Sequence, residues 1–66
     1  MMNHYLVFWQ TVPGSATAFY KGQQAVWAND EEKAARIALT EVNRGLFRDC
    51  LSPSQLRSTI ILKLEN

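Results

Sequence analysis

The chain has few of the residues that commonly staple a small domain together or form a catalytic site. Its 66 residues include one cysteine, Cys50, and one histidine, His4. A single cysteine excludes an internal disulfide, and no spacing typical of structural zinc sites occurs. We therefore predict no metal and no cofactor. Self-association is the remaining way to stabilise a domain that buries only about 60% of its unfolded surface.

Long apolar runs and blocks of like charge are also missing. No apolar stretch approaches the ~18 residues of a membrane-spanning helix, so no membrane partner is predicted. Seven basic residues face six acidic ones, a net charge of +1, which favours neither a polyanion-binding surface nor an acidic nucleic-acid mimic. The N-terminal residues lack the features of a signal peptide. Together with the lone thiol, they predict a cytoplasmic protein.

The residues that are present predict one β-β-α-β domain over residues 1–66. Aromatic and β-branched residues indicate strands at 4–12 and 18–28, joined by a turn at Pro13-Gly14. Gly22 interrupts the second strand and suggests a bulge, a change of twist or the corner of a separate hairpin. A third strand is predicted at residues 58–65.

A helix is predicted between the second and third strands. Asn29 is its predicted N-cap, with Glu32 completing a capping box, and Gly45 is its predicted C-cap. The apolar residues that share one stripe at helical spacing are Ala35, Ala38, Leu39, Val42 and Leu46. Ile37 lies away from this stripe, so either the buried face is wider or Ile37 joins an external contact. Residues 52–55 repeat the helix-start pattern and predict one short helical turn.

The predicted fold is an α+β sandwich in which one helix packs on one face of a three-stranded sheet. The first strand carries no Asp, Glu, Lys or Arg, which suits a central position and gives the strand order 2-1-3. The helix then crosses over between two parallel outer strands. This layout resembles a truncated ferredoxin-like sandwich. The resemblance is one of layout only, so no functional residue is transferred from it.

One helix covers one face of such a sheet, yet the first strand is apolar on both faces. We predict that Leu6 and Phe8 face the helix. The other predicted core residues are Val26, Ala38, Leu39, Val42 and Leu62. The opposite face would then expose a partner-binding patch made of Tyr5, Val7, Trp9, Trp27 and Ile61. Alternatively, the connector at residues 46–57 covers part of this patch with Leu46, Phe47 and Leu51.

The sequence predicts a non-enzymatic protein-binding module with no catalytic residues and no small-molecule substrate. The carboxylates have local roles, and nothing in the sequence links His4 with Cys50. The expected partner is a second copy in a homodimer, another protein, or both. Small domains of this kind are common as phage or mobile-element accessory or inhibitor proteins that act on a host complex. A CRISPR-inhibitor-like role belongs to the same class.

The alternative is a single-stranded nucleic-acid or RNA-complex accessory module that uses aromatic side chains of the sheet. The stacking residues would be Tyr5, Trp9 and Trp27, and the phosphate contacts would be Lys21, Arg57 and Lys63. Apolar side chains between the aromatic ones, Val7 and Ile61, suit a dry contact better than a wet one. Nucleic acid is therefore the less favoured partner.

Overall fold

The computed structural model describes residues 1–12 and 19–64, which form an α+β domain with the predicted β-β-α-β order. The elements are β1 (Asn3–Thr11), β2 (Lys21–Ala28), α1 (Glu31–Leu46) and β3 (Leu56–Leu64), with a short 3-10 turn at Pro53–Gln55. That turn was predicted, and the Gln55 side-chain oxygen accepts the Ser52 N–H at 2.8 Å. The predicted hairpin turn at Pro13-Gly14 lies outside the described residues.

Strand β1 lies in the centre of the sheet. It pairs antiparallel with β2 on one side and with β3 on the other, so the strand order is the predicted 2-1-3. Among the described residues, the pairing has one register shift, between Phe8 and Trp9 on the β3 side, where Thr59 is the additional residue. The strand pairing therefore gives the two outer strands the same direction, which requires α1 to cross from one edge of the sheet to the other.

Gly22 has a different role from the predicted one. It pairs with Trp9 in regular register, so neither a bulge nor a hairpin corner occurs there. A Cβ atom on Gly22 would lie 2.8 Å from Trp9 Cζ2, which is closer than non-bonded carbon atoms approach. The absence of a side chain at this position therefore gives the Trp9 indole the space that it occupies.

Asp30 caps helix α1 at its N-terminus. Its backbone is extended, and its Oδ1 atom accepts a hydrogen bond from the Lys33 N–H at 2.9 Å. The predicted cap at Asn29 with Glu32 is thus wrong by one residue. Both residues can cap, and the carboxylate of Asp30 gains additional stabilisation from the positive end of the helix dipole.

The helix ends by a mechanism that does not use glycine. Gly45 lies inside α1, whereas the residues with left-handed backbone are Arg48 (φ 52°) and Asp49 (φ 61°). The Asn43 carbonyl accepts N–H groups from Phe47 at 3.2 Å and Asp49 at 2.9 Å. The Asn43 side chain also hydrogen-bonds both backbone groups of Leu51. Asn43 therefore supplies the chain reversal that was predicted for Gly45.

The core lies between α1 and the sheet face that was predicted to be free. One buried cluster consists of Tyr5, Val7, Val26, Ala28, Ala34 and Ala38, with Ile37 and Ile61 packed against it. A second consists of Trp9, Val42 and Leu56, with Leu39, Phe47 and Leu51 packed against it. The prediction is confirmed for Val26, Ala38, Leu39 and Val42. It is wrong for Leu6, Phe8 and Leu62, whose side chains lie on the other face.

The small residues of the helix explain this choice of face. Ala34 and Ala38 are fully buried, and their short side chains leave room for the large Tyr5 side chain beneath the helix. Ile37, which departed from the predicted stripe, packs on the core, whereas Leu46 at the helix end is 59% exposed. The buried stripe is thus rotated toward Ala34 and Ile37.

The position of the N-cap gives a stability prediction. Replacing Asp30 with Ala removes the hydrogen bond to the Lys33 N–H and should lower the free energy of unfolding by about 1 kcal/mol. A domain of this size should then melt about 4–8 °C lower, which circular dichroism can measure. Asn29→Ala is the matched control and should melt close to the parent. An Asn29 variant as destabilised as the Asp30 variant would contradict this cap.

Candidate interaction surface

The five residues of the predicted binding patch do not form one exposed face. Tyr5, Val7 and Trp9 are only 4%, 0% and 6% exposed, because α1 and the connector cover them. Ile61 is half-buried and packs against the core. The prediction of an exposed face is therefore wrong for these four residues. Trp27 is 51% exposed, but it lies on the other face of the sheet.

The strand register defines the face that α1 leaves uncovered. On β1, Leu6 pairs with Ala25 of β2 and Leu62 of β3, and Phe8 pairs with Gln23 and Ile60. Directly paired residues share a face of the sheet. The free face, as we name it, consists of His4, Leu6, Phe8, Gln10, Lys21, Gln23, Ala25, Trp27, Arg57, Ile60, Leu62 and Leu64.

The centre of the free face is apolar and open to solvent. Leu6 and Phe8 are half-buried on the central strand, and their partners on β3 are large, exposed apolar residues. Their partners on β2 are the smaller or polar Ala25 and Gln23, and Trp27 follows two residues after Ala25. The exposed fractions are 51% for Trp27, 55% for Ile60 and 47% for Leu62. A contiguous apolar patch of this kind is typical of a surface that contacts another macromolecule.

The Trp27 ring stacks on the ring of His4, its neighbour on β1. The His4 and Trp27 rings are stacked, with centroids 4.3 Å apart and planes within 4°. The two residues face each other directly in the β1–β2 register. This stack restricts the Trp27 rotamers before any partner binds, which lowers the entropic cost of using the indole as an anchor.

The other end of the free face is polar and carries only positive charge. Lys21 and Arg57 flank Gln10 in the register. When the Gln10 amide oxygen faces Arg57, it accepts hydrogen bonds from Arg57 Nε at 3.3 Å and Nη2 at 3.0 Å. No residue of the free face is an Asp or Glu. A depression of about 380 Å³ lies here, lined by Phe8, Trp9, Gln10, Lys21, Gly22, Gln23 and Thr59.

The connector after α1 covers part of the predicted patch, as the alternative interpretation proposed. The Phe47 ring packs edge to face on the Trp9 and Tyr20 rings, with centroid separations of 6.1 Å and 5.6 Å. Leu51 packs against the same cluster. This cover lies on the helix side of the sheet, so the free face stays open. The alternative is confirmed for Phe47 and Leu51 but not for Leu46, which is exposed, and the uncovered face was predicted incorrectly.

The titratable side chains of the described residues are dispersed. No group of three or more His, Cys, Asp or Glu residues there could hold a metal ion. The Cys50 thiol is exposed beyond the helix end, whereas His4 stacks on Trp27. Glu41 accepts a hydrogen bond from Gln24 at 2.9 Å. These positions give neither His4 nor Cys50 a partner for acid–base or nucleophilic chemistry within the described residues.

A second depression, of about 230 Å³, lies beside α1. Its lining consists of Arg36, Leu39, Thr40, Asn43, Ser52, Pro53 and Leu56. Its more strongly polar side chains already have partners, because Arg36 pairs with Glu32 at 3.7 Å and Asn43 binds the Leu51 backbone. The free face is therefore the stronger candidate for a functional surface.

Comparisons with protein-family models, curated proteins and solved structures found no match for this chain. In the described part of the chain, no helix is both long enough and apolar enough to cross a membrane.

The assignment of the two faces predicts opposite effects for two neighbouring aromatic residues. Trp9→Ala empties a buried site between α1 and β3 and should cost about 3–5 kcal/mol, which would largely unfold a domain this small. Phe8→Ala is the matched control on the free face and should keep the fold. Circular dichroism melts compare the two. A folded Trp9 variant beside an unfolded Phe8 variant would reverse the two faces.

Proposed function

We propose that the chain is a non-enzymatic protein-binding module that self-associates through its free face. The observation that carries this proposal is the uncovered apolar surface formed by Leu6, Phe8, Ile60 and Leu62 at the centre of the free face and by Trp27 at one end. Aromatic and aliphatic side chains of this kind form the dry centres of protein interfaces, and a Trp is a frequent anchor. Covering them removes apolar surface from water, which favours association.

The size of the face sets the expected affinity. Strands of eight or nine residues, about 3.4 Å per residue and about 4.8 Å apart, give a face of roughly 14 by 30 Å. Its projected area of about 400 Å² per copy is small beside the ~800 Å² per partner of a standard interface. We therefore expect a dimer that forms at roughly tens of micromolar.

Sedimentation equilibrium tests the proposal with a matched pair of variants. Leu62→Lys adds a charge to the free face and should shift the mass from near twice 7.5 kDa toward 7.5 kDa. Leu46→Lys makes the same change at an exposed residue outside the sheet and should leave the dimer intact. In melts at concentrations well below the dimer dissociation constant, both should match the parent, because no dimer then adds to its stability. Equal masses for the two variants would contradict a contact through the free face.

A second candidate function is single-stranded nucleic-acid binding by the same face. Lys21 and Arg57 lie together at one end, with no carboxylate on the face, and Phe8 and Trp27 could stack on bases. Lys63, which the sequence suggested as a phosphate contact, pairs with Tyr5 and so belongs to the helix side. The apolar side chains between Phe8 and Trp27 favour a protein partner.

Salt dependence separates the two candidates. Dimerisation through apolar surface should change little between about 50 and about 200 mM salt, because few counterions are released. Binding of a mixed-sequence oligonucleotide through two phosphate contacts should weaken with a log–log slope of about −1.4. Fluorescence anisotropy of a labelled oligonucleotide measures this. Tight, salt-dependent oligonucleotide binding by a monomer would favour the nucleic-acid function.

A further inference from the structure

The free face is self-complementary about its middle row, and this identifies how a second copy would dock. Val7 pairs with Gln24 on β2 and Ile61 on β3, so these three residues mark one row across the sheet. Leu6 and Leu62 lie next to that row on one side, and Phe8 and Ile60 lie next to it on the other side. Further from the row, one end of the face is polar, with Lys21 and Arg57, and the opposite end is apolar.

The two ends of the face differ in charge and in chemistry. Lys21 lies three residues before the middle row on β2, and Trp27 lies three residues after it. Arg57 stands beside Gln10 at the Lys21 end. Reversing the strand direction in a second copy would therefore place the Lys21 of one copy over the exposed Trp27 indole of the other. Half of the Trp27 side chain is exposed and its ring is already oriented by His4.

When the strands of two identical sheets are aligned, two face-to-face arrangements have two-fold symmetry. An axis along the strands places β2 over the β3 of the other copy and brings the Lys21 of each copy near the Arg57 of the other. Four cations would then meet on a face that has no carboxylate. An axis across the strands places β2 over β2 in opposite directions, so each Lys21 lies over the Trp27 end.

We propose that the partner of the free face is a second copy of this chain, docked with its strands antiparallel about a two-fold axis at the row of Val7. This inference rests on the proposed function. Leu6 of each copy packs over Phe8 of the other, and Ile60 over Leu62. Each Lys21 ammonium group contacts the Trp27 indole of the other copy as a cation–π pair.

The packing of the apolar centre agrees with this arrangement. Sheets that pack face to face lie about 10 Å apart, with mean strand directions about 30° from alignment. Near the axis that rotation displaces side chains little, so the central apolar pairs stay in contact. At the ends the displacement is greater, and the long, flexible Lys21 side chain can follow it. The Lys21–Trp27 pair therefore selects the direction of docking, while the apolar pairs provide most of the buried area.

Cross-linking on the central strand distinguishes the two arrangements. In a Cys50→Ser background, Gln10→Cys and His4→Cys are prepared separately and treated with a bis-maleimide whose spacer is about 10 Å, the separation of packed sheets. Antiparallel docking places Gln10 over His4, so the mixed sample should cross-link and Gln10→Cys alone should not. Parallel docking places Gln10 over Gln10, so cross-linking of Gln10→Cys alone would overturn the arrangement.

Two Lys21 variants test the cation–π contact itself. Lys21→Gln removes both ammonium–indole pairs of the dimer and should weaken dimerisation about five- to thirty-fold by sedimentation. Lys21→Arg retains the cation and should dimerise like the parent. An unchanged Lys21→Gln dimer would overturn the contact. A parent chain that is monomeric at all concentrations would overturn the proposed function, whereas a dimer with the wrong cross-link overturns only the docking direction.

Discussion

The structure depends on the packing of one helix against one face of a three-stranded sheet. Helix α1 brings Ala34 and Ala38 close to the sheet, and these small residues leave room for Tyr5 and Val7 beneath them. A single helix covers only one face of the sheet, so the other side of β1 stays in water together with the exposed edge-strand residues. The small buried area of this short chain and its apolar free face thus have one cause, which is that a single helix covers only one side of the sheet. The proposed dimer would bury the free face and so increase the buried area.

The strand order could be predicted from sequence, whereas the orientation of the sheet could not. Alternation shows which residues of β1 share a face, but Leu6 and Phe8 are as apolar as Val7 and Trp9, so it does not show which set meets the helix. The cross-strand register holds that information, because Tyr5 pairs with Val26. Gly22 opposite Trp9 was a further signal, because a residue without a side chain leaves space for a large indole.

The predicted helix start was correct in kind and displaced by one residue, whereas the predicted helix stop was wrong. Asn29 and Asp30 are adjacent residues that both cap helices, and the observed cap is set by which one reaches the Lys33 N–H. Gly45 was the expected stop, but tertiary contacts of Asn43 with Leu51 fix the chain reversal instead. Of the predicted binding residues, only Trp27 lies on the free face, and the stack that orients it joins two strands that are distant in sequence.

The assignment of the two sheet faces is tested most directly by following the two indole N–H signals by nuclear magnetic resonance in a dilution series. Trp9 is buried beneath the connector, whereas Trp27 lies on the free face. The Trp9 signal should be protected from solvent exchange and independent of protein concentration. The Trp27 signal should shift with concentration as the free face becomes covered. A Trp9 signal that exchanges rapidly, or a concentration-dependent Trp9 signal beside an unchanged Trp27 signal, would contradict the assignment of the faces and the association built on it.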